Sequence, residues 1–297
     1  MSTRAWSELG LLALIWGGSF LSIRLALNEI PVFTVVAHRV FWAMLVLWGY
    51  ILIRRLPLPR TPAVWAAFLV MGLLNNVIPF SLMAWGQLHI ETGLTSILNS
   101  TTAIFGVVVA SVAFADEKLT VNRVIGVVLG FLGVSTAIGL ENLMQFNIRS
   151  TAQIAVLAGT LSYALAGVWA RRMLAGLSPQ VASAGMLTGA ALVMVPLALI
   201  IDGAPSFDLS LTAWSAITYY AVIATACAYL LYYRILSMAG SGNLMICTLL
   251  MAPVAIVLGA LVLGEDLAPR AYVGFGLLAL GLLVLDGRIL GILRKAP

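Results

Sequence analysis

Ten runs of about 20 mostly apolar residues follow one another along this chain, separated by short stretches of charge, proline, glycine or asparagine. Their approximate limits are Trp6 to Leu27, Val32 to Ile53, Ala63 to Trp85, Leu94 to Phe114, Val121 to Leu140, Thr151 to Ala170, Gln180 to Ile201, Thr212 to Tyr233, Asn243 to Leu263 and Ala271 to Ile289. A helix rises about 1.5 Å per residue, so runs of this length match the ~30 Å of hydrocarbon in a bilayer. The runs are continuous and do not alternate, which excludes a β-barrel. With 62% apolar and 9% charged residues and a mean hydropathy of +1.07, a soluble enzyme core and a disordered chain are excluded too. The first run, preceded by Arg4, is too long for a signal-peptide core and lacks a cleavage site, so it is expected to remain as a spanning helix. The expectation is an all-α integral membrane protein whose chemistry takes place inside the membrane or at its faces.

The net charge of +5 records orientation. Arg4, Arg54, Arg55, Arg60, Lys118, Arg123, Arg171, Arg172, Arg234, Arg288, Arg294 and Lys295 all fall on one side of the alternating spans, which is 12 of the 16 basic residues. Arg24, Arg149 and Arg270 fall on the other side, and Arg39 lies within a span. The positive-inside rule then places both termini in the cytoplasm, in a multi-pass protein of the cell (inner) membrane. The partners expected are the bilayer and a small-molecule substrate; no nucleic acid is expected, and a monomer is favoured. Cys227 and Cys247 lie in apolar runs with no metal or disulfide spacing. No metal and no cofactor are expected.

The chain repeats. A shift of 148 residues overlays Glu117 on Glu265, Leu119 on Leu267, Gly126 on Gly274, Leu129 on Leu277, Leu132 on Leu280 and Gly133 on Gly281. Both halves thus carry E-x-L-x6-G-x2-L-x2-L-G, and Pro31 matches Pro179 at the same shift. The unit is five helices, with residues 1–145 as the first repeat and 146–297 as the second. Because five is odd, the second copy starts on the opposite side of the membrane. Such inverted repeats suit secondary transporters, whose two similar halves exchange conformations around a shared central site.

Trp16-Gly17-Gly18-Ser19-Phe20, Arg39, Gly264-Glu265-Asp266-Leu267 after a Pro253-bearing helix, and the weaker counterpart Asp116-Glu117-Lys118-Leu119 resemble EamA-type members of the drug/metabolite transporter superfamily. The resemblance covers nearly the whole chain and is greatest to YddG-type amino-acid exporters. It implies ten transmembrane helices forming a basket, with helices 1, 3, 4, 6, 8 and 9 around a central cavity and helices 2, 5, 7 and 10 outside. The first half departs from the pattern, since Phe105 stands opposite Pro253 and Asp116 opposite Gly264.

Candidate cavity residues follow from polar and aromatic groups on shared helix faces. Asn76, Phe80, Met83 and Gln87 recur at helical spacing, with Asn75 adjacent and Pro79 freeing a carbonyl one turn back. Asn99 and Thr102 belong to the most polar segment at bilayer depth. Trp16, Tyr163 and Tyr229 offer aromatic surface, and Asn243 a further amide. For each of these, packing between helices is the structural alternative. Pro79 and Pro253 are candidate hinges. Tyr219, Tyr220, Trp65 and Trp85 read as an interfacial belt. Arg39, about eight residues into its run, needs a partner; with helix 2 outside the basket, a structural role, bonding helix-end carbonyls or snorkelling outward, is favoured over holding a substrate carboxylate or acting with His38 in proton movement. Glu117 and Glu265, at helix junctions, read as caps of the following helices or, failing that, as coupling groups.

No carboxylate lies near the centre of any run, which favours facilitated over ion-coupled transport. The chain has no H-E-x-x-H, no G-x-S-x-G and no G-x-x-x-x-G-K-[ST], so neither an enzyme nor an ATP-driven pump is expected. Few fixed cations lie at mid-bilayer, which argues against sugar phosphates. Small zwitterions, above all aromatic and apolar amino acids, are the expected cargo. Cationic or lipophilic drugs are the alternative, and a channel a weaker one.

Overall fold

The computed structural model describes residues 1–90, 92–144, 146–147, 150–263 and 269–286. These residues form helices and no strands. The helices are α1 (Thr3–Ala26), α2 (Val32–Arg54), α3 (Pro62–Gly86), α4 (Thr92–Ala113), α5 (Val121–Ile138), α6 (Thr151–Met173), α7 (Pro179–Ile201), α8 (Leu211–Ala239), α9 (Ser241–Met245, continuing past Ile246 as Cys247–Leu263) and α10 (Pro269–Asp286). Leu140–Met144 adds one further turn. Seven helices, α1, α2, α3, α5, α6, α7 and α8, are long and apolar enough to cross a bilayer. Shorter apolar helices over Ile97–Ala113, Ser241–Val254 and Pro269–Leu285 accompany them.

Side chains cap several helix starts. Ser2, Thr120, Ser178 and Ser210 each accept a hydrogen bond from the backbone N–H three residues on, and Pro179 opens α7 where no N–H is needed. At the other end of α5, Gly139 takes φ of 125°, a conformation that favours glycine, and stops the helix.

Two helices are not uniformly α-helical. In α3 the segment Leu73–Val77 is a π-helix, and the Ile78 N–H bonds the Leu73 carbonyl five residues back. Pro79 is the local cause, because it lacks the N–H that would reach back to Asn75 and its ring crowds that turn. In α8 the π segment is Tyr219–Cys227, where no proline is present. There the Thr225 hydroxyl donates to the Tyr220 carbonyl, five residues back, at 2.7 Å. The expected freed carbonyl is thus part of a wider turn, and α8 carries a similar turn that no proline announces.

Glycine governs the tightest helix contacts. A Cβ on Gly126 would lie 2.8 Å from the Gly281 carbonyl oxygen, and one on Gly133 would lie 2.7 Å from that of Gly274. The glycines of the repeated sequence motif therefore form the α5–α10 interface, and the descending partner numbers make these helices antiparallel. On α2 and α7, Trp48 donates to Thr188 at 2.8 Å while the Thr34 N–H and hydroxyl donate to Asp202, again antiparallel. α1 runs parallel to α9, through Leu9–Cys247 and Gly17–Met251, and α4 parallel to α6, through Thr101–Thr160 and Ala113–Arg172. α9 is antiparallel to α4, with Met245 against Gly106 and Gly242 against Ala110. Consequently α1 and α6 point in opposite directions.

Candidate functional site

A cavity of about 890 Å³, its open mouth included, lies between α1, α2, α3, α4, α6, α8 and α9. Trp16, Ser19, Phe20 and Ile23 of α1 and Asn75, Phe80, Met83, Ala84 and Gln87 of α3 reach it. Along both helices these residues run from mid-helix to the end opposite the N-terminus. Asn99 and Thr102 of α4, Tyr163 of α6 and Tyr229 and Tyr232 of α8 complete the polar and aromatic wall, with Leu244, Met245, Thr248 and Met251 of α9.

The aromatic rings brace one another. Trp16 meets Tyr229 edge-on with ring centres 6.2 Å apart, and Tyr163 meets Phe80 in the same way at 6.3 Å. The Trp16 indole N–H donates to the Ala224 carbonyl within the π segment of α8 at 2.9 Å. Ser162 of α6 donates to the Leu74 carbonyl within the π segment of α3 at 2.7 Å. Each wide turn thus presents a carbonyl to a side chain from another helix, as a membrane-buried backbone requires.

Of the residues expected from sequence, Trp16, Phe80, Met83, Asn99, Thr102, Tyr163 and Tyr229 border this cavity, whereas Asn76 and Asn243 do not. Asn76 is fully buried and donates to the Tyr229 hydroxyl at 2.6 Å; its neighbour Asn75 donates to the same hydroxyl at 3.0 Å and borders the cavity. The reason is the π segment, which adds a residue to the turn, so the cavity face runs Asn75, Phe80, Met83 with a spacing of five at its start. Asn243 instead donates to the Ala239 carbonyl at 2.8 Å, one turn back. Pro79 and Pro253 both lie within helices, the first just after a wide turn.

Two adjacent residues of α2 go separate ways. Arg39 borders the cavity from a helix expected outside the basket, with its guanidinium carbon 3.9 Å from the centre of the Phe80 ring. His38 lies in a second, apolar recess with Phe41, Trp42 and Phe207, and its Nδ1 accepts from the Trp42 indole at 2.9 Å. The structure therefore does not bring His38 and Arg39 together at one site. Tyr220 is fully buried among α1, α2 and α8 and is a core residue, not part of an interfacial belt, while the half-buried Tyr219 donates to the Ile15 carbonyl at 3.0 Å.

Most of the ion pairs gather at the end of the bundle that carries the N-terminus, while Arg270 pairs with Glu141 at the opposite end. Glu117 accepts from the Ser241 N–H at 2.9 Å, the Ser241 hydroxyl at 3.0 Å and the Gly242 N–H at 2.8 Å, and it pairs with Arg171. It is a cap, but of α9; the following helix α5 is capped by Thr120. The pairing spans 124 residues and leaves no local mark in the sequence. Arg171 also holds Asp116, which lowers the Asp116 carboxyl below its ordinary range through the hydrogen bond and charge of the guanidinium. Glu8, which the sequence patterns did not single out, bonds Arg234 of α8 at 2.6 Å. At the opposite end, Glu29 accepts from the N–H and hydroxyl of Ser210, and these bonds lower its carboxyl as well. Glu265 lies outside the described residues. No group of three or more potential metal ligands occurs among the described residues.

The sequence profile of the EamA-like transporter family matches residues 9–138 and 150–285. The "Uncharacterized transporter YoaV" of Bacillus subtilis (strain 168) is 22% identical over 91% of this chain and 92% of its own length. A "Probable terminal-alkyne amino-acid exporter" of Streptantibioticus cattleyicolor is 24% identical over 72% of this chain and 71% of its own. Among solved structures, one crystal structure matches 96% of this chain and 99% of its own with a TM-score of 0.79 at 15% identity, which shows a shared fold.

Proposed function

Because this multi-pass membrane chain belongs to the EamA-like transporter family, we propose that it exports small zwitterionic metabolites, foremost aromatic and apolar amino acids, by alternating access. The observation that carries the substrate class is the cavity wall, where Trp16, Phe80, Tyr163 and Tyr229 offer ring surface while Asn75, Asn99 and Thr102 offer polar groups. The relative described as a probable amino-acid exporter supports the same class. The apolar share of the wall also suits a lipophilic drug, which is the second reading.

In this proposal residues 1–145 and 146–297 are inverted five-helix halves of a ten-helix monomer. Three features support it: the family profile matches twice, α1 and α6 point in opposite directions, and both π segments overlap at a shift of 148 residues. Orientation follows the positive-inside count, with both termini in the cytoplasm of a cell whose inner membrane holds the protein. The ion pairs of Glu8 and Glu117 then close the cytoplasmic side, and the cavity reaches toward the outside. No described carboxylate borders the cavity, which favours facilitated export.

Counterflow of labelled aromatic and aliphatic amino acids into liposomes holding the purified protein, with and without a pH gradient, tests this function. Saturable exchange without gradient-driven accumulation is expected. Exchange of lipophilic drugs with no exchange of any amino acid would move the function to the second reading.

A further inference from the structure

We infer that Arg39 is the anchor for a carboxylate on the transported molecule. The inference rests on the amino-acid reading above and deepens it, because it makes the carboxylate the group the cavity demands. Arg39 sits seven residues into α2, about 10 Å along the helix from its start, and is 8% exposed. One face of its guanidinium is fixed over Phe80, and its Nε donates to Thr225 Oγ1 at 2.8 Å. The Thr225 proton is committed to the Tyr220 carbonyl, so the hydroxyl presents only a lone pair to Arg39. The group is therefore oriented at a face and at one edge.

The other edge is open. Nη1 and Nη2 carry four N–H groups, and among the described residues none of these has a hydrogen-bond partner and no carboxylate forms an ion pair with Arg39. A charged guanidinium at this depth is costly unless something neutralises it. Arg39 borders the cavity, so what enters the cavity can supply that charge. Two parallel N–H groups on one edge match the two oxygens of a carboxylate, a fork that a lysine ammonium cannot reproduce. A single cation, with no second basic residue on the cavity wall among the described residues, suits a monoanionic carboxylate better than a phosphate dianion.

The test uses the full-length protein in liposomes, with counterflow of labelled phenylalanine competed by phenylalanine, phenylalaninamide and 3-phenylpropionate. Both acids are expected to compete, and the amide to compete about tenfold or more weakly. Arg39→Gln should raise the KM for phenylalanine by a similar factor and erase the difference between acid and amide, with Arg39→Lys in between. Equal competition by acid and amide in the wild type overturns the inference, as does a folded Arg39→Gln protein that still discriminates. Should Arg39→Gln fail to fold, Thr225→Val, which leaves the charge in place and frees its edge, is expected to narrow the acid–amide ratio; an unchanged ratio overturns the inference. Equilibrium binding of labelled 3-phenylpropionate separates the two readings. Arg39-dependent binding without any amino-acid flux would remove the amino-acid function and keep the anchor, whereas flux of amino acids and their amides alike would do the reverse.

Discussion

The indole N–H of Trp16 donates to the carbonyl of Ala224 across 2.9 Å, joining α1 to the widened turn of α8 beside the cavity. That carbonyl belongs to a turn whose own donors are displaced. Trp16→Phe keeps an aromatic ring but deletes the donor and the second ring of the indole, and should destabilise the protein by about 1 kcal/mol or more. Ser162→Ala removes the matching bond to Leu74 and should cost a similar amount. Thermal unfolding of the detergent-solubilised protein measures both; an unchanged midpoint in both variants would show that the wide turns hold without these bonds.

The Glu117 carboxylate gathers three donors of Ser241 and Gly242 and pairs with Arg171. Glu117→Gln turns an amide N–H₂ toward those donors, and Glu117→Ala leaves them with no acceptor. Each unmade buried bond is costly, so we expect roughly 1–3 kcal/mol lost, with Ala at the upper end. Chemical unfolding monitored by circular dichroism provides the values.

Acid should weaken the loop contacts in a defined direction. The carboxyls of Asp116 and Glu29 are held below their ordinary values, by Arg171 and by the two Ser210 bonds respectively. A lowered folded-state pKa contributes stability that is present above the unfolded value of about 4 and lost as pH falls through the folded value. Unfolding temperatures should therefore be insensitive to these two groups near neutrality and fall below about pH 4. Asp116→Asn and Glu29→Gln should each flatten that acid limb in a pH series of thermal melts.

At the α5–α10 interface a methyl group has nowhere to go. Cβ atoms on Gly133 or Gly274 would strike the facing backbone, while one on Gly276 meets nothing within 4 Å. Gly133→Ala and Gly274→Ala should each cost about 1–3 kcal/mol by forcing the helices apart. Gly276→Ala should be neutral or slightly stabilising, since alanine is the better helix former. Side-by-side melting curves test the contrast.

Asn75 and Asn76 share Tyr229 as a partner but not a position, since only Asn75 borders the cavity. Asn75→Leu should lower amino-acid flux several-fold in a protein that still melts cooperatively. Asn76→Leu should act chiefly on stability, by about 1 kcal/mol or more, because it places an isobutyl group in a fully buried site. Flux normalised to folded protein separates the two effects.

Much of this architecture was legible in the chain. The apolar runs fall on the helices because the length of a spanning segment is set by the bilayer, and the glycines of the repeated motif fall on one interface because only glycine permits that approach. The aromatic wall was legible for the same kind of reason. What escaped were features that local periodicity does not encode. A uniform α-helical spacing selected Asn76, and one widened turn moved the choice to Asn75. Charge and position made Glu117 a cap, yet which helix it caps depends on a contact 124 residues away. Arg39 was placed outside with its helix, although Val35, Val36 and Arg39 of α2 all border the cavity.

The widened turn at Leu73–Val77 also bears on how the length of such a chain can vary. A π turn houses one residue more than the α turn it replaces, so it is a place where the chain is longer than its axis requires. Removing Asn75 would shorten that turn by one residue while Pro62–Gly72 and Ile78–Gly86 keep their faces, with Pro79 still denying it a full set of α-helical bonds, and Asn76 would slide into the vacated place on the wall. Tyr219–Cys227 offers the same latitude in the other half. Single-residue deletions, normally ruinous inside a spanning helix, should be least disruptive at these two turns, where the loss falls chiefly on the local bonds to Ser162, Trp16 and Tyr229.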